Sequence, residues 1–353
     1  MINNNFIKNW LLVHYPLIFS LFIFLIVLFI HPYEIQKYQI KPNQEFRSDE
    51  KSRYTYADLD GDHHAEKIRF ICLKKKNLTG IVVYKKNRVV NQWNFKGTIN
   101  LKQISYIIGD SDHDQFKEII LFNHHNDTIF LNMIEPFASE NAGEYEYTKP
   151  LIRAKSPDFA IHEGGMANFD HHPRDELFFS ITPGGYNRQP RKVCIYNFHK
   201  DTAKFSTKAG ISLKDIRVLD IDHDQIPEIT GDAHAYGNHK KSFPYTDQKG
   251  WLMVFDRNLD FVFKPISFDE FPMKLYVEPI KYKNETCLYV YHNYYGVKAI
   301  PSKLYIFNKE GKVIHERNVE GLTHPRSSCI FHHNGNLFFI GDNGNIQLLD
   351  KSL

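Results

Sequence analysis

The strongest constraint on this chain is a nine-residue acidic pattern, used three times intact and once in altered form. Asp58, Asp60, Asp62 and Glu66 stand at positions 1, 3, 5 and 9 of DLDGDHHAE. Asp110, Asp112, Asp114 and Glu118 repeat that spacing in DSDHDQFKE, and Asp220, Asp222, Asp224 and Glu228 repeat it in DIDHDQIPE. NFDHHPRDE keeps Asn168, Asp170 and Glu176 but has His172 in place of the third Asp. Three carboxylates within five residues repel one another, so a fold keeps them together only with a cation or full solvation to offset the repulsion. Alternate residues of a tight loop face one side, a backbone carbonyl near position 7 can fill a gap, and a final Glu can close the shell with two oxygens. This donor set suits calcium; zinc would call for Cys or His at tetrahedral spacing. A solvated acidic turn accounts for a single copy, because Asp and Gly favour turns without any metal. Recurrence in register favours calcium in these loops.

The first positions fall at residues 58, 110, 168 and 220, and a period of roughly 50–60 residues indicates a repeat architecture. Each period has the same order: an apolar run, the acidic loop, a second apolar run, a turn and two further strand-like runs. In the fourth these are IRVLDI, EITGDA, GWLMVFD and FVFKPI. Four strands of about six residues with their connections make one antiparallel blade of a β-propeller. The expected fold is therefore all-β, a propeller of about six four-stranded blades, or seven if a period lies within residues 119–167. The four clear periods begin near Tyr54, Ser105, Gly165 and Ile216. A fifth is suggested from Lys274, where the loop has decayed to KYKNET and no metal is expected, and a sixth from Ser327, with HNGN as its turn. Only three strands fit before Leu353. The fourth is expected from YQIKP on the N-terminal side or from residues beyond this chain.

DLDGDHHAEKIRF, DSDHDQFKEIILF and DIDHDQIPEIT resemble the repeats of the FG-GAP and VCBS class, the calcium-loop blades also seen in integrin head domains. The resemblance runs from about residue 50 to the C-terminus. It implies a propeller, calcium loops between the first two strands of a blade, and a binding or adhesive role. The chain departs from that class at position 6, usually Gly there and here His63, Gln115, Pro173 and Gln225. A side chain is strained at that position if the backbone needs positive φ, which bears on how tightly a cation is held rather than on the fold.

Ahead of the repeats, residues 10–30 read WLLVHYPLIFSLFIFLIVLFI without one Asp, Glu, Lys or Arg. That length matches the ~20 residues that cross a hydrocarbon core. His31, Pro32, Tyr33 and Glu34 do not suit signal cleavage, so an uncleaved signal-anchor helix is expected, with a removed signal peptide as the alternative. Residues 1–9 are then a short tail, 31–50 a linker and the candidate source of the closing strand, and 51–353 the propeller. Lys8 precedes the span while Lys37, Lys41 and Arg47 follow it, which mildly opposes an N-in orientation. The calcium chemistry nonetheless places the propeller outside the cytoplasm, where calcium is plentiful. A formal charge of +3 argues against a nucleic-acid surface.

Cys72, Cys194, Cys287 and Cys329 each lie in an apolar strand run, with no CxxC pair, and read as small buried hydrophobes. A Cys287–Cys329 bridge is the minor alternative. Of the 19 histidines, His63, His64, His113, His171, His172 and His223 read as turn residues, since calcium prefers oxygen to imidazole. In a four-stranded blade the loops after strand two emerge opposite the acidic loops. Those segments hold His124, His125, Tyr186, Arg188, His234, Tyr236, His239, His292, Tyr294 and Tyr295, candidates for ligand binding because propellers present variable loops on a rigid scaffold there. Polar surface loops with no ligand are the plainer reading of these segments.

No GxSxG, HExxH, P-loop or dinucleotide fingerprint is present. The expected function is a membrane-anchored extracytoplasmic module that binds an unidentified extracellular or periplasmic ligand or protein partner, as the sensory input of a signalling system whose output lies elsewhere. Two alternatives stand beside it: a cell-surface enzyme acting on polysaccharide or another polymer, and an adhesion or assembly component.

Overall fold

Apolar runs bounded by acidic or Gly/Asn turns form strands throughout the second part of the chain. The computed structural model describes Ser20 and residues 52–349, except 102, 104, 138–145, 156, 183–190, 208, 236, 238–243, 269–272, 283–284, 295–301, 320–328, 334–335 and 341–345. The chain divides into two units, Met1–Glu50 and Lys51–Leu353. Apart from Ser20, the expected membrane span at 10–30, the tail at 1–9 and the linker at 31–50 lie outside the described residues. Among the described residues no helix is long and apolar enough to cross a membrane.

The second unit is all-β and antiparallel. The first sheet is β1 (Ser52–Ala57), β2 (Glu66–Leu73), β3 (Leu78–Lys85) and β4 (Arg88–Lys96). The second is β5 (Tyr106–Gly109), β6 (Glu118–His125), β7 (Thr128–Ile134) and β8 (Glu146–Arg153), and the third is β9 (Ala160–Ala167), β10 (Glu176–Thr182), β11 (Lys192–Asn197) and β12 (Thr202–Phe205). In each of these, order in space follows order in sequence.

The fourth group is divided. β13 (Leu213–Leu219) and β14 (Glu228–Ala233) pair with β16 (Val254–Phe255), while β15 (Gly250–Leu252) pairs with β17 (Ile266–Phe268). The expected single third strand GWLMVFD is thus split at Met253. The fifth sheet is again four-stranded: β18 (Met273–Tyr282), β19 (Glu285–Tyr294), β20 (Ser302–Phe307) and β21 (Val313–Val319). β22 (Cys329–His333), β23 (Asn336–Ile340) and β24 (Ile346–Leu349) make the last, three-stranded sheet. The stretch 119–167 carries only strands of the second and third sheets among its described residues, so no extra period is found there.

Second strands sit inside the stack. β6, β10 and β14 are buried along nearly their whole length, which is why EIILF and ELFFSI read as continuous apolar runs rather than alternating ones. β2 alternates buried and half-buried residues and so buries one face only. The apolar cores lie between consecutive sheets. Ile68, Phe70, Ile81 and Trp93 of the first sheet pack with Ile119 and Leu121 of the second. Phe122 and Leu131 pack with Leu177 and Phe179 of the third and with Phe159 just ahead of it, and Val254 with Leu275, Val277 and Val290 of the fifth. The first strands β5, β9 and β13 are successive neighbours, so the sheets follow one another in chain order with matching edges together.

Backbone contact between neighbouring strands also sets one sharp requirement. The β9–β10 register shifts between Phe178 and Ser180, and a Cβ built on Gly164 would lie 1.9 Å from the Phe178 carbonyl oxygen and 2.7 Å from Phe179 Cα. Only glycine permits that approach. Gly164→Ala is expected to lower the unfolding free energy by about 3 kcal/mol through forced backbone displacement, read from the midpoint of chemical denaturation.

Cys72, Cys194 and Cys287 are buried and free. Cys287 therefore makes no bridge to Cys329, and burial pushes the Cys194 and Cys287 thiols up, away from thiolate chemistry.

Candidate metal centres in the acidic loops

All four acidic loops connect the first and second strands of a sheet, and their final Glu opens the second strand. Ala57 pairs with Glu66, Gly109 with Glu118, Ala167 with Glu176 and Leu219 with Glu228. The shared spacing is therefore a shared register. Position 4 adopts positive φ in every copy, at Gly61, His113, His171 and His223, and position 6 does so at His63, Gln115 and Gln225. Pro173 holds position 6 of the remaining loop, and proline cannot take that conformation. The histidines at these positions are turn residues, as their place in the pattern predicts.

The same hydrogen bonds recur around the same oxygens. One oxygen of the final Glu accepts the position-2 N–H: Glu66 from Leu59 (2.9 Å), Glu118 from Ser111 (2.9 Å), Glu176 from Phe169 (2.8 Å) and Glu228 from Ile221 (2.9 Å). One oxygen of the first Asp accepts the position-6 N–H, at 3.0 Å for Asp58, 3.0 Å for Asp110 and 3.1 Å for Asp220. The third Asp accepts the position-7 N–H, as Asp62 does from His64, Asp114 from Phe116 and Asp224 from Ile226. The expected two-oxygen role of the final Glu changes accordingly, since one of its oxygens already ties down the loop backbone.

What remains is an oxygen with no donor. Oδ1 of Asp58, Asp110, Asn168 and Asp220, the first position of all four loops, is buried without a hydrogen-bond partner, as is Asp60 Oδ1. Buried carboxylate oxygen without a donor or cation is costly. Around these atoms, Asp58, Asp60 and Asp62, then Asp110, Asp112 and Asp114, then Asp220, Asp222 and Glu228, each offer ligand atoms within 4.8 Å of one another. The donors are all oxygen and mostly carboxylate, so these groups could hold a hard cation. Burial pushes Glu66, Glu118, Glu176 and Glu228 above the usual carboxylate range, Glu228 to about 7, with the neighbouring aspartates adding to the shift at Glu66, Glu118 and Glu228.

Three cationic side chains that the repeat pattern does not reveal reach this face. Lys85 Nζ binds Asp60 and lies 2.8 Å from Asp62 Oδ2. Lys200 Nζ lies 2.6 Å from Asp170 Oδ2, which Asn197 also approaches at 3.0 Å. Arg174 donates to Ser111 Oγ at 3.0 Å and to Glu118 Oε1 at 3.3 Å, while its guanidinium stacks over Phe198. Adjacent loops also touch through their backbones: Lys117 N–H donates to Leu59 O, and Asp175 N–H to Ser111 O. The first three loops therefore lie side by side. Pro227, at the equivalent position of the fourth, has no N–H to continue the series.

The fifth sheet shows what happens without the acidic pattern. β18 and β19 run on as ten-residue strands to Tyr282 opposite Glu285, and strand replaces the loop.

The residues proposed for the opposite side have mixed positions. His124 is buried, its Nε2 on the Ala154 carbonyl at 2.8 Å and its backbone bridged to Thr98 of the first sheet. His125 Nδ1 is 2.9 Å from Asn77 Nδ2. His292 is buried against Phe268, and Tyr294 pairs through its backbone with Met273. Tyr186, Arg188, Tyr236, His239 and Tyr295 lie outside the described residues.

His234 accepts the Leu275 N–H on Nδ1 at 3.2 Å and packs edge-on against Tyr276. Burial, with Lys214 and Lys274 nearby, holds it down at about 3. Its folded-state pKa is depressed, so its contribution is present above about pH 6.5 and is lost as pH falls toward 3. Neighbouring Asp232 acts oppositely: burial pushes it up to about 7 against Arg217, so its contribution falls as pH rises through that value. His234→Gln keeps an acceptor for Leu275 but removes the proton-binding site. The stability advantage of wild type over this variant should shrink by ~3 kcal/mol between pH 7 and pH 4, measured by denaturant titration at each pH. A constant difference would mean that His234 is not held neutral.

No protein-family model matches the chain, and no curated protein matches it in sequence. Several solved structures are similar over most of its length. Rhamnogalacturonan lyase YesW is 11% identical with a TM-score of 0.37, the exotype rhamnogalacturonan lyase YesX is 9% identical at 0.36, and the V. cholerae biofilm matrix protein Bap1 is 10% identical at 0.28. Each match covers 84% of this chain, but only 59% of either lyase and 65% of Bap1. Likeness at this distance decides neither fold nor activity.

Proposed function

We propose that the chain is an extracytoplasmic β-propeller, tethered to a membrane through residues 10–30, whose acidic loops bind calcium and whose opposite face binds a ligand or protein partner. The carrying observation is the first-position oxygen, buried and without a donor in four successive loops. A divalent ion offsets that cost and the repulsion among the aspartates together. Calcium suits the site better than magnesium because it accepts several carboxylates in flexible geometry, whereas magnesium keeps its waters and demands an octahedron. Matching first strands, apolar cores between successive sheets and acidic loops on one side all support closure of the sheets into a ring. Tyr186, Arg188, Tyr236, His239 and Tyr295, which lie outside the described residues, remain candidates from the sequence for contact with a partner. Full-length protein in detergent, stripped with chelator, should gain thermal stability on adding calcium. Superimposable melting curves with calcium and with chelator would remove the metal reading.

A further inference from the structure

We infer that the four loops are of two kinds: the first and third carry a built-in cation, Lys85 and Lys200, while the second and fourth take a divalent ion from solution. This rests on the calcium reading above and adds which loops are loaded.

The distinction shows first at the end of the third strand, and in the third loop also at Lys200, three residues beyond it. Strand register sets the final Glu of each loop opposite the end of the third strand. Lys67 pairs with Tyr84, Ile119 with Ile134, Leu177 with Tyr196 and Ile229 with Phe255. Continuing each register by one residue aligns Glu66 with Lys85, Glu118 with Glu135, Glu176 with Asn197 and Glu228 with Asp256, of which Glu135 and Asp256 lie just past their strands. A single structural position therefore carries Lys, Glu, Asn and Asp in the four sheets.

In the first loop the Lys85 ammonium lies on one oxygen of Asp60 and one of Asp62, and so offsets part of the negative charge there, while Asp58 Oδ1 and Asp60 Oδ1 keep no donor. The third loop has an amide at position 1 and His172 at position 5, and the one aspartate among its first, third and fifth positions, Asp170, is satisfied by Lys200, Asn197 and the His172 N–H. Lys200 and the His172 N–H hold Asp170 at about 2, against the upward push of burial.

In the second and fourth loops no lysine sits on the aspartates. Among the described residues the lysine–aspartate pairs of these loops are Lys85 with Asp60 and Asp62 and Lys200 with Asp170, so the donor-less first-position oxygen, common to all four loops, is accompanied by a lysine only in the first and third. Glu135 adds a further carboxylate near the second loop, and its pKa is raised to about 7 by burial and by Asp114, Asp112 and Glu118. Arg174 reaches Glu118 and Ser111 of the second loop but is not paired with its three aspartates, so a cation from solution is what balances the aspartates of these two loops.

Calcium binding to the full-length protein, counted by isothermal titration or equilibrium dialysis after chelation, tests the division. Wild type should bind about two ions per chain. Asp112→Ala and Asp222→Ala should each remove one, while Asp60→Ala should remove none. Lys85→Met, which frees Asp60 and Asp62, should raise the count to about three. Lys200→Met should leave it at two, because its loop lacks the other carboxylates. Three or four ions in wild type would overturn the division while leaving the calcium reading intact, and so would a count unchanged by Lys85→Met in protein whose circular dichroism matches wild type. No binding at all would overturn both.

Discussion

Replacing Glu118 with Ala is expected to lower the unfolding free energy by about 3–5 kcal/mol, with or without divalent ions. Glu118 is 1% exposed. One oxygen accepts the Ser111 N–H, and the other receives both Ser111 Oγ and Arg174. Truncation would leave a buried N–H without an acceptor and a guanidinium without its carboxylate. Arg174 is partly exposed and can recover some hydration, which favours the lower end of that range. Glu118→Gln keeps an acceptor for Ser111 but turns an amide toward Arg174, and should cost about 1–2 kcal/mol. Chemical denaturation of both variants in chelator separates this backbone role from metal binding. Equal losses in the two would mean that the charge, not the acceptor, is what the loop requires.

Calcium should stabilise the wild type by about 2.7 kcal/mol per occupied site at a hundredfold excess over Kd, so by about 5 kcal/mol for two independent sites. Asp222→Ala should roughly halve that gain. Asp222 Oδ1 accepts one weak backbone bond, from Asp224 N–H at 3.3 Å, so its removal disturbs the apo fold little while taking one ligand from the fourth loop. The informative quantity is the difference between melts with calcium and with chelator, compared for wild type and variant. A gain as large in Asp222→Ala as in wild type would exclude the fourth loop from cation binding. Magnesium at the same concentration should give a smaller gain, because it is reluctant to surrender its waters to a cluster of carboxylates.

Lys85, Glu135, Asn197 and Asp256 show why part of the candidate site escaped a reading of the chain alone. They share one structural position, yet the hairpin separating each from its loop differs in length in every sheet, with a three-residue 3₁₀ turn at Lys74–Lys76 in one and residues 234–249 in another. Equivalent positions therefore recur at no constant interval. Arg174 was hidden differently. It sits inside one acidic loop and acts on the preceding one, a contact that exists only because neighbouring sheets bring their loops together. His124 and His234, polar residues in strand-ending segments, read as candidates for an outer face. The packing instead uses their ring nitrogens on backbone groups, His124 on the carbonyl just past β8 of its own sheet and His234 on an N–H of the fifth sheet.

The residues themselves determined the succession of strand groups, their antiparallel order and the location of the acidic loops. All three follow from local patterns: apolar runs of strand length, turn residues between them, and a spacing of carboxylates that only a tight loop can accommodate. Tertiary structure alone decided which loop oxygens are left without partners and which carry a lysine. Both depend on strand register and on contacts between sheets, where side chains far apart in the chain meet at hydrogen-bonding distance.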